Sequence, residues 1–323
     1  MWRHQGLTFY SPFPLGEPAP VGTPVDVCVQ VEDPRALGTG RPGEVVAHLE
    51  ARGKTFYTVY EVPGGFLARF HEVADFEVSG DGGSVVCRPG PDCAADLVQV
   101  LVVGTITALL LTLRGYAVVH GSAIRWQGEA VLFAGYSGQG KTTLAALCCA
   151  AGAELVSDDV VALVQVEKGM ACFGLAHELR LREAAWEIAD LFPPPGPARR
   201  STADGRLALS PAVAPAEVNA ISAVLLPVPV RGAFEPSVLP LAPPVALVKL
   251  LGNARVPAMV PISLQKPYFA AVSDLVTAAP VVEARVPWGP PFTTGFVPAL
   301  LERACQVVAR PRTGGHKGLD SLF

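Results

Sequence analysis

Charge is scarce in this chain: of 323 residues only 17% are Asp, Glu, Lys or Arg, and the net charge is −4. No basic stripe runs along it, which counts against general nucleic-acid binding. Aromatic residues are few as well, at 7%, and the seven cysteines contain no CxxC pair. An odd number of scattered thiols lacks the spacing of a zinc site and of a disulfide framework. It predicts free thiols in a reducing, cytoplasmic setting. The opening MWRHQGLTFYSPFPLG has no apolar stretch of signal-peptide length. No repeat of fixed period is present. One long uncharged run does occur, the 17 residues Leu97–Leu113. A spanning helix needs about 20 apolar residues, and this run carries Gln99, Thr105, Thr107 and Thr112. It predicts a helix buried on all sides and no membrane association.

What is abundant is apolar surface. Half of the residues are hydrophobic, enough for a large core, and Gly (32) and Pro (31) punctuate the chain throughout. Residues 1–94 read as a β-rich N-terminal domain with an antiparallel sheet. Val25–Val31 alternates in polarity, and Thr55–Val62 is rich in aromatic and β-branched residues. Asp75–Ser79 and Ser84–Arg88 flank Gly80-Asp81-Gly82-Gly83, a hairpin signal. Residues 95–312 read as a second domain. It opens with the Leu97–Leu113 helix and a strand at Tyr116–Ile124, followed by a strand at Ala130–Ala134 and a helix from Lys141 to about Gly152. Further strands are predicted at Glu154–Val156, Val160–Val166 and Val218–Leu226, with helices at Glu183–Leu191, Pro244–Gly252 and Pro298–Val308. Residues 313–323 read as a loose tail.

The segment Gly135-Tyr136-Ser137-Gly138-Gln139-Gly140-Lys141-Thr142 matches the phosphate-loop pattern GxxxxGK[ST] without a mismatch. An apolar strand precedes it and a helical pattern follows. Glycines let the backbone curl so that successive N–H groups face phosphate oxygens, and the helix start adds partial positive charge. Lys141 is placed to reach the β- and γ-phosphates and the Thr142 hydroxyl to ligate Mg²⁺. The nucleotide-contacting set is therefore Gly135, Ser137, Gly138, Gln139, Gly140, Lys141, Thr142 and Thr143, with ATP and Mg²⁺ as the expected cofactors.

Asp158 and Asp159 lie seventeen and eighteen residues beyond Lys141. A helix and a tight turn at Gly152 fill most of that gap. The pair then falls at the C-terminal end of the next strand, the edge of a parallel sheet where the glycine loop also lies. Either acid is a candidate for catalysis or for metal binding: one of Asp158 and Asp159 would hold Mg²⁺, directly or through water. The other is a candidate to take the proton of an attacking hydroxyl. His120, in HGS ahead of the loop, is a candidate phosphate-facing residue. Glu178, with Arg180 nearby, is a candidate metal or phosphate contact. Arg199, Arg200 and Arg206 sit in a loop-like stretch, ARRSTADGR, suited to close over phosphates or an anionic acceptor.

Together, HGSAI at His120–Ile124, GYSGQGKTT at Gly135–Thr143 and ELVSDD at Glu154–Asp159 resemble, in order and spacing, the kinase domain of HPr kinase/phosphorylase and its relatives. Those relatives include serine kinases of ribosomal and lasso peptide clusters. The motif likeness covers about Arg114–Val166, and a looser likeness in layout covers most of the chain. The resemblance implies an α/β P-loop kinase domain of the HPr kinase and phosphoenolpyruvate carboxykinase type. It also implies Asp159 as the residue that activates the acceptor hydroxyl, with His120 as a helper near the γ-phosphate. Two departures count against HPr itself as substrate, and against reverse phosphorolysis and a hexamer. Thr142-Thr143 stands where bifunctional HPr enzymes have Ser-Glu, and His177–Arg182 lacks their glycine-rich signature. The expected partner is a hydroxyl acceptor, either a serine of a peptide or protein or a small molecule. A non-catalytic nucleotide-binding regulator is the alternative from a different class. The oligomeric state is left open.

Overall fold

The structure is a computed structural model, and it describes residues 1–51, 53–174, 178–215, 218–232, 235–256 and 262–309. The expected tail at 313–323 and His177 lie outside the described residues. The chain forms a mixed α/β fold with two large sheets and a small three-stranded one.

The first sheet takes up the N-terminal third. From one edge its strands run Glu17–Pro18, Trp2–His4, Leu7–Tyr10, Val27–Val31, Ser84–Pro89, Ala74–Ser79, Gly65–Phe70, Lys54–Val62 and Glu44–Ala51. The hairpin around Gly80–Gly83 forms as its turn chemistry dictates. The sheet is not purely antiparallel, however: Val27–Val31 pairs in parallel with both Leu7–Tyr10 and Ser84–Pro89. The long connections on either side of that strand allow it to enter in this direction, which alternation alone does not reveal. Inward-facing aromatics fill the interior, with Phe70 tilted against Tyr57 and edge-on to Phe76 at ring-centroid separations of 5.4 and 5.5 Å.

The apolar run predicted as one helix is continuous from Ala95 to Leu113, but Val102–Ile106 in its middle is a π-helical turn. The Thr107 hydroxyl donates to the Val102 carbonyl at 2.7 Å, and His4 Nε2 lies 3.0 Å from the Val103 carbonyl. These contacts satisfy groups that a π turn displaces from the ordinary ladder. The helix is long and apolar enough to cross a membrane by composition. Here Val98, Val102, Ile106 and Leu109–Leu111 are buried in the same core as Phe9, Tyr57 and Phe76. The expected boundary at 94/95 marks where the helix starts, while the packing runs across it.

The second sheet carries the glycine-rich loop at 135–142. Glu129–Ala134 pairs in antiparallel fashion with Gly121–Trp126 and in parallel with Val218–Arg231. Gly121–Trp126 in turn pairs antiparallel with Glu154–Asp158. The strand before the loop and the strand before the acidic pair are therefore parallel to each other, with one antiparallel strand between them. This differs from the simple parallel sheet expected, yet it brings both C-terminal ends to the same edge. The strand expected at Tyr116–Ile124 is broken in two. Ala117–Val119 pairs with Val161–Val166, and His120 sits at the break. Helix Lys141–Ala150 packs on one face against a core that includes Phe133, Leu144, Leu147 and Leu300. Helices Pro243–Leu251 and Ile262–Ala278 cover the other face.

Because the N-terminal sheet and the apolar helix share one core, a cavity in that core destabilises both. Phe9→Ala, at a fully buried position, is expected to lower unfolding free energy by about 3–5 kcal/mol. Urea denaturation followed by far-UV circular dichroism measures this. A loss under 1 kcal/mol contradicts the shared core.

Candidate nucleotide and phosphotransfer site

The loop between Ala134 and Lys141 turns through three glycines with positive φ: Gly135 at 150°, Gly138 at 88° and Gly140 at 81°. At Gly140 the requirement is steric as well. A Cβ there would stand 2.2 Å from the Trp288 ring, so the loop can rest on that indole only without a side chain. Trp288, at the end of strand Val281–Trp288, is itself braced edge-on by Phe292 with centroids 5.5 Å apart. The loop's polar groups are engaged internally. Gln139 Oε1 accepts from the Tyr136 N–H at 2.6 Å, and Lys141 Nζ donates to the carbonyls of Gly135 and Tyr136 at 2.8 and 3.0 Å. Arg182 Nη2 lies 3.3 Å from the Ser137 hydroxyl, which adds a second cation beside the loop.

Asp158 meets the loop directly. Its Oδ1 accepts from the Thr142 hydroxyl at 2.8 Å and from the Ser122 hydroxyl at 2.6 Å. Ser122 was not singled out from sequence. It arrives because the sheet register pairs it with Asp158. Burial pushes the Asp158 carboxyl above its ordinary range, against the two hydroxyl hydrogen bonds that favour the charged form.

Asp159 turns the other way, held in a left-handed conformation at φ 68°. Its Oδ2 accepts from Arg255 Nη2 at 2.8 Å, its Oδ1 lies 3.1 Å from His120 Nδ1, and Arg180 Nη2 is 3.7 Å from Oδ2. Burial acts to raise this carboxyl, but Arg255, His120 and Arg180 outweigh it and hold it well below the usual range. Arg255 Nη2 also lies 3.2 Å from the Thr105 hydroxyl of the π turn. Gly104 in that turn brings the helix close: a Cβ there would sit 3.4 Å from Asp159 Oδ2. Burial also lowers the Lys141 ammonium to about 8, with Asp159 and Asp158 partly restoring it.

The remaining sequence candidates fall into two groups. His120 joins the site, through Asp159. Glu178 lines the same cavity as the acidic pair, but both its oxygens accept from Arg200, at 2.8 and 2.6 Å. That fork makes Glu178 a wall residue and not, as the structure stands, a companion of Thr142 and Asp158. The stretch expected as a basic loop is a hairpin, Ala198–Ser201 with Leu207–Ser210. Its arginines are paired: Arg199 with Asp190, Arg200 with Glu178 and Arg206 with Asp204. The six described cysteines are all free.

No protein-family model and no curated protein matches this chain. Among solved structures, the Hpr(Ser) kinase/phosphatase from Coxiella burnetii is similar to it. The similarity is at 12% identity, over 60% of this chain and 99% of that one, with a TM-score of 0.32. A likeness so loose assigns no residue a role. The roles below rest on the contacts just described.

Two outcomes follow from the charges. Arg255→Met strips Asp159 of its nearest cation and is expected to cost about 3 kcal/mol at neutral pH. Adding Asp159→Asn should recover part of that. A depressed carboxyl stabilises the fold above its unfolded value, about 3.9, and the contribution drains away as pH falls below that. Arg255→Met removes that contribution, so the stability gap between the variant and the unaltered protein should be largest near neutral pH and narrow as pH falls below about 4, read by denaturant titrations from pH 3 to 7. Second, a Lys141 ammonium titrating at about 8 should make affinity for Mg·ATP nearly flat below pH 8. Above it, affinity should fall by at most about tenfold per unit. Equilibrium binding from pH 7 to 9.5 checks this, and Lys141→Met should flatten the curve.

Proposed function

We propose that this protein is a Mg·ATP-dependent kinase that transfers the γ-phosphoryl group to a hydroxyl, carried on a serine of a peptide or on a small molecule. The observation that carries this reading is the contact between the phosphate-loop hydroxyl and the first acid: Thr142 donates to Asp158, and Asp159 follows on the same edge. A hydroxyl and a hard carboxylate side by side suit Mg²⁺, which takes one or two carboxylates and draws its other ligands from phosphate and water. Bound there, the metal would neutralise charge on the β- and γ-phosphates. Among the described residues no cluster of three His, Cys, Asp or Glu side chains stands ready for a metal. The reading therefore places Thr142 and Asp158 as the metal contacts.

The division of labour follows from the two carboxyls' environments. Asp158, hard to ionise alone, gains from a cation beside it. Asp159, ionised and fixed by Arg255 and His120, retains lone pairs for one further hydrogen bond. In this reading it accepts the hydrogen bond of the acceptor O–H and orients the oxygen toward phosphorus. The new P–O bond forms as the β–γ bridging bond breaks, ADP leaves with that electron pair, and the hydroxyl proton passes to Asp159. A loose phosphoryl transition state needs position more than a strong base, so a depressed carboxyl is compatible with the role. Lys141 and Arg182 supply positive charge at the loop.

With labelled ATP, the unaltered protein should transfer label to a hydroxyl acceptor. Lys141→Ala and Asp159→Asn should each reduce transfer by at least about a thousandfold, with Mg·ATP still bound by Asp159→Asn. Full activity in Asp159→Asn removes the assigned base. Tight binding with neither transfer nor hydrolysis in the unaltered protein points to a nucleotide-gated regulator.

A further inference from the structure

We propose that the acceptor reaches Asp159 through a cavity built in part by the N-terminal sheet module, and that this cavity admits only a hydroxyl on a compact, unfolded group. The proposal rests on the phosphotransfer reading above and narrows its acceptor. The hydroxyl belongs to a free small molecule or to the end of a flexible peptide, not to the surface of a folded protein.

The cavity holds about 400 Å³, within the range of about 300–1,000 Å³ typical of small-ligand sites. Asp158, Asp159 and Gly104 line it at the reactive end. Its lining draws on none of residues 135–142, whereas Asp158 touches the loop through Thr142. The acids therefore stand between two approaches, one from the nucleotide loop and one from the cavity, as transfer between a donor and an in-line acceptor requires.

Three stretches of chain make the walls. Pro14–Gly16 come from the N-terminal module, Val100 and Val103 from the apolar helix, and Arg180 and Arg200 from the small sheet. Each is fastened. Leu15 is 2% exposed, and the Pro14 carbonyl accepts from Gln99 Nε2 at 2.7 Å. The turn at Gln5 enters the second module, where Gln5 Nε2 donates to the Ser157 hydroxyl at 2.8 Å, one residue before the acidic pair. His4, beside it, lies on the π turn that carries Gly104. The N-terminal module is thus part of the site's construction. Asp159 is 20% exposed. A folded partner would need roughly 800 Å² of matching surface on its own side and would have to present its hydroxyl inside this recess. A compact group enters whole. Apolar Leu15, Val100 and Val103 suit its carbon frame, and the paired charges of Glu178 and Arg200 suit a polar end.

The test uses the full chain with Mg·ATP labelled at the γ-position and three acceptor panels: free hydroxylated metabolites, including L-serine and glycerol; short unstructured peptides ending in Ser; and folded proteins with exposed serines. Transfer to the first or second panel supports the proposal and tells the two sources apart. Transfer to folded proteins alone overturns it, and so does transfer to none while Mg·ATP binds. Failure to bind Mg·ATP overturns instead the reading on which it rests. A second arm fills the recess from an exposed turn. Ala203→Trp should cut transfer at least tenfold while leaving the Kd for Mg·ATP within twofold and the melting curve unchanged. Undiminished transfer in that variant places the acceptor elsewhere.

Discussion

Asp159 is a carboxylate taken out of water, and the site depends on how its charge is met. Alone, such a group would take a proton or break the fold around it. Here Arg255, Arg180 and His120 converge on it from three stretches of the chain, and Arg255 also reaches Thr105 on the apolar helix. Meeting one charge therefore fixes the helix from the N-terminal module, the loop at Asn253–Arg255 and the small sheet against one another. Few charged residues are available in this chain, and several of them are concentrated here.

Asp158, its neighbour, solves the opposite problem. Among the described residues, no guanidinium is hydrogen-bonded to its carboxylate. Two hydroxyls and, more distantly, the Arg180 N–H surround it. Adjacent acids thus differ in their surroundings: Asp159 is met by protein cations, while Asp158 is met by hydroxyls. That asymmetry pushes the two carboxyls' ionisation in opposite directions without two unusual residues, because environment and not identity sets each carboxyl's behaviour.

Much of this was legible in sequence wherever function is written locally. The strand, glycine turn and helix at 129–150 follow from glycine spacing and apolar periodicity, and the Asp pair's distance from Lys141 located it at the same edge. The intervening antiparallel strand was not legible, because pairing partners are chosen by the whole sheet. Ser122 was half visible: it lies in the HGS segment, yet its partnership with Asp158 depends on a register set by Gly121 opposite Ala134. Arg255 carried no signal, since it lies 96 residues from Asp159 in a loop whose neighbours share no pattern with it. Trp288 was equally silent, although Gly140 implies that something approaches closely. Glu178 was visible as an acid near the site, but its fork with Arg200 was not, since the two meet only across the small sheet.

The N-terminal module is where local reading had least to work with. Its residues show no catalytic constellation, and its sheet suggests an independent domain. Yet a glutamine at the tip of its first hairpin is 1% exposed, and its Nε2 is bonded across the chain to Ser157 while its Oε1 has no hydrogen-bond partner among the described residues. That contact joins the hairpin to the strand that ends at the acidic pair. The π turn makes the same case from the helix side: it strains the ladder where His4 and Gly104 bring the module against Asp159. The turn's displaced groups and its glycine are what let the helix, His4 and Arg255 meet beside Asp159.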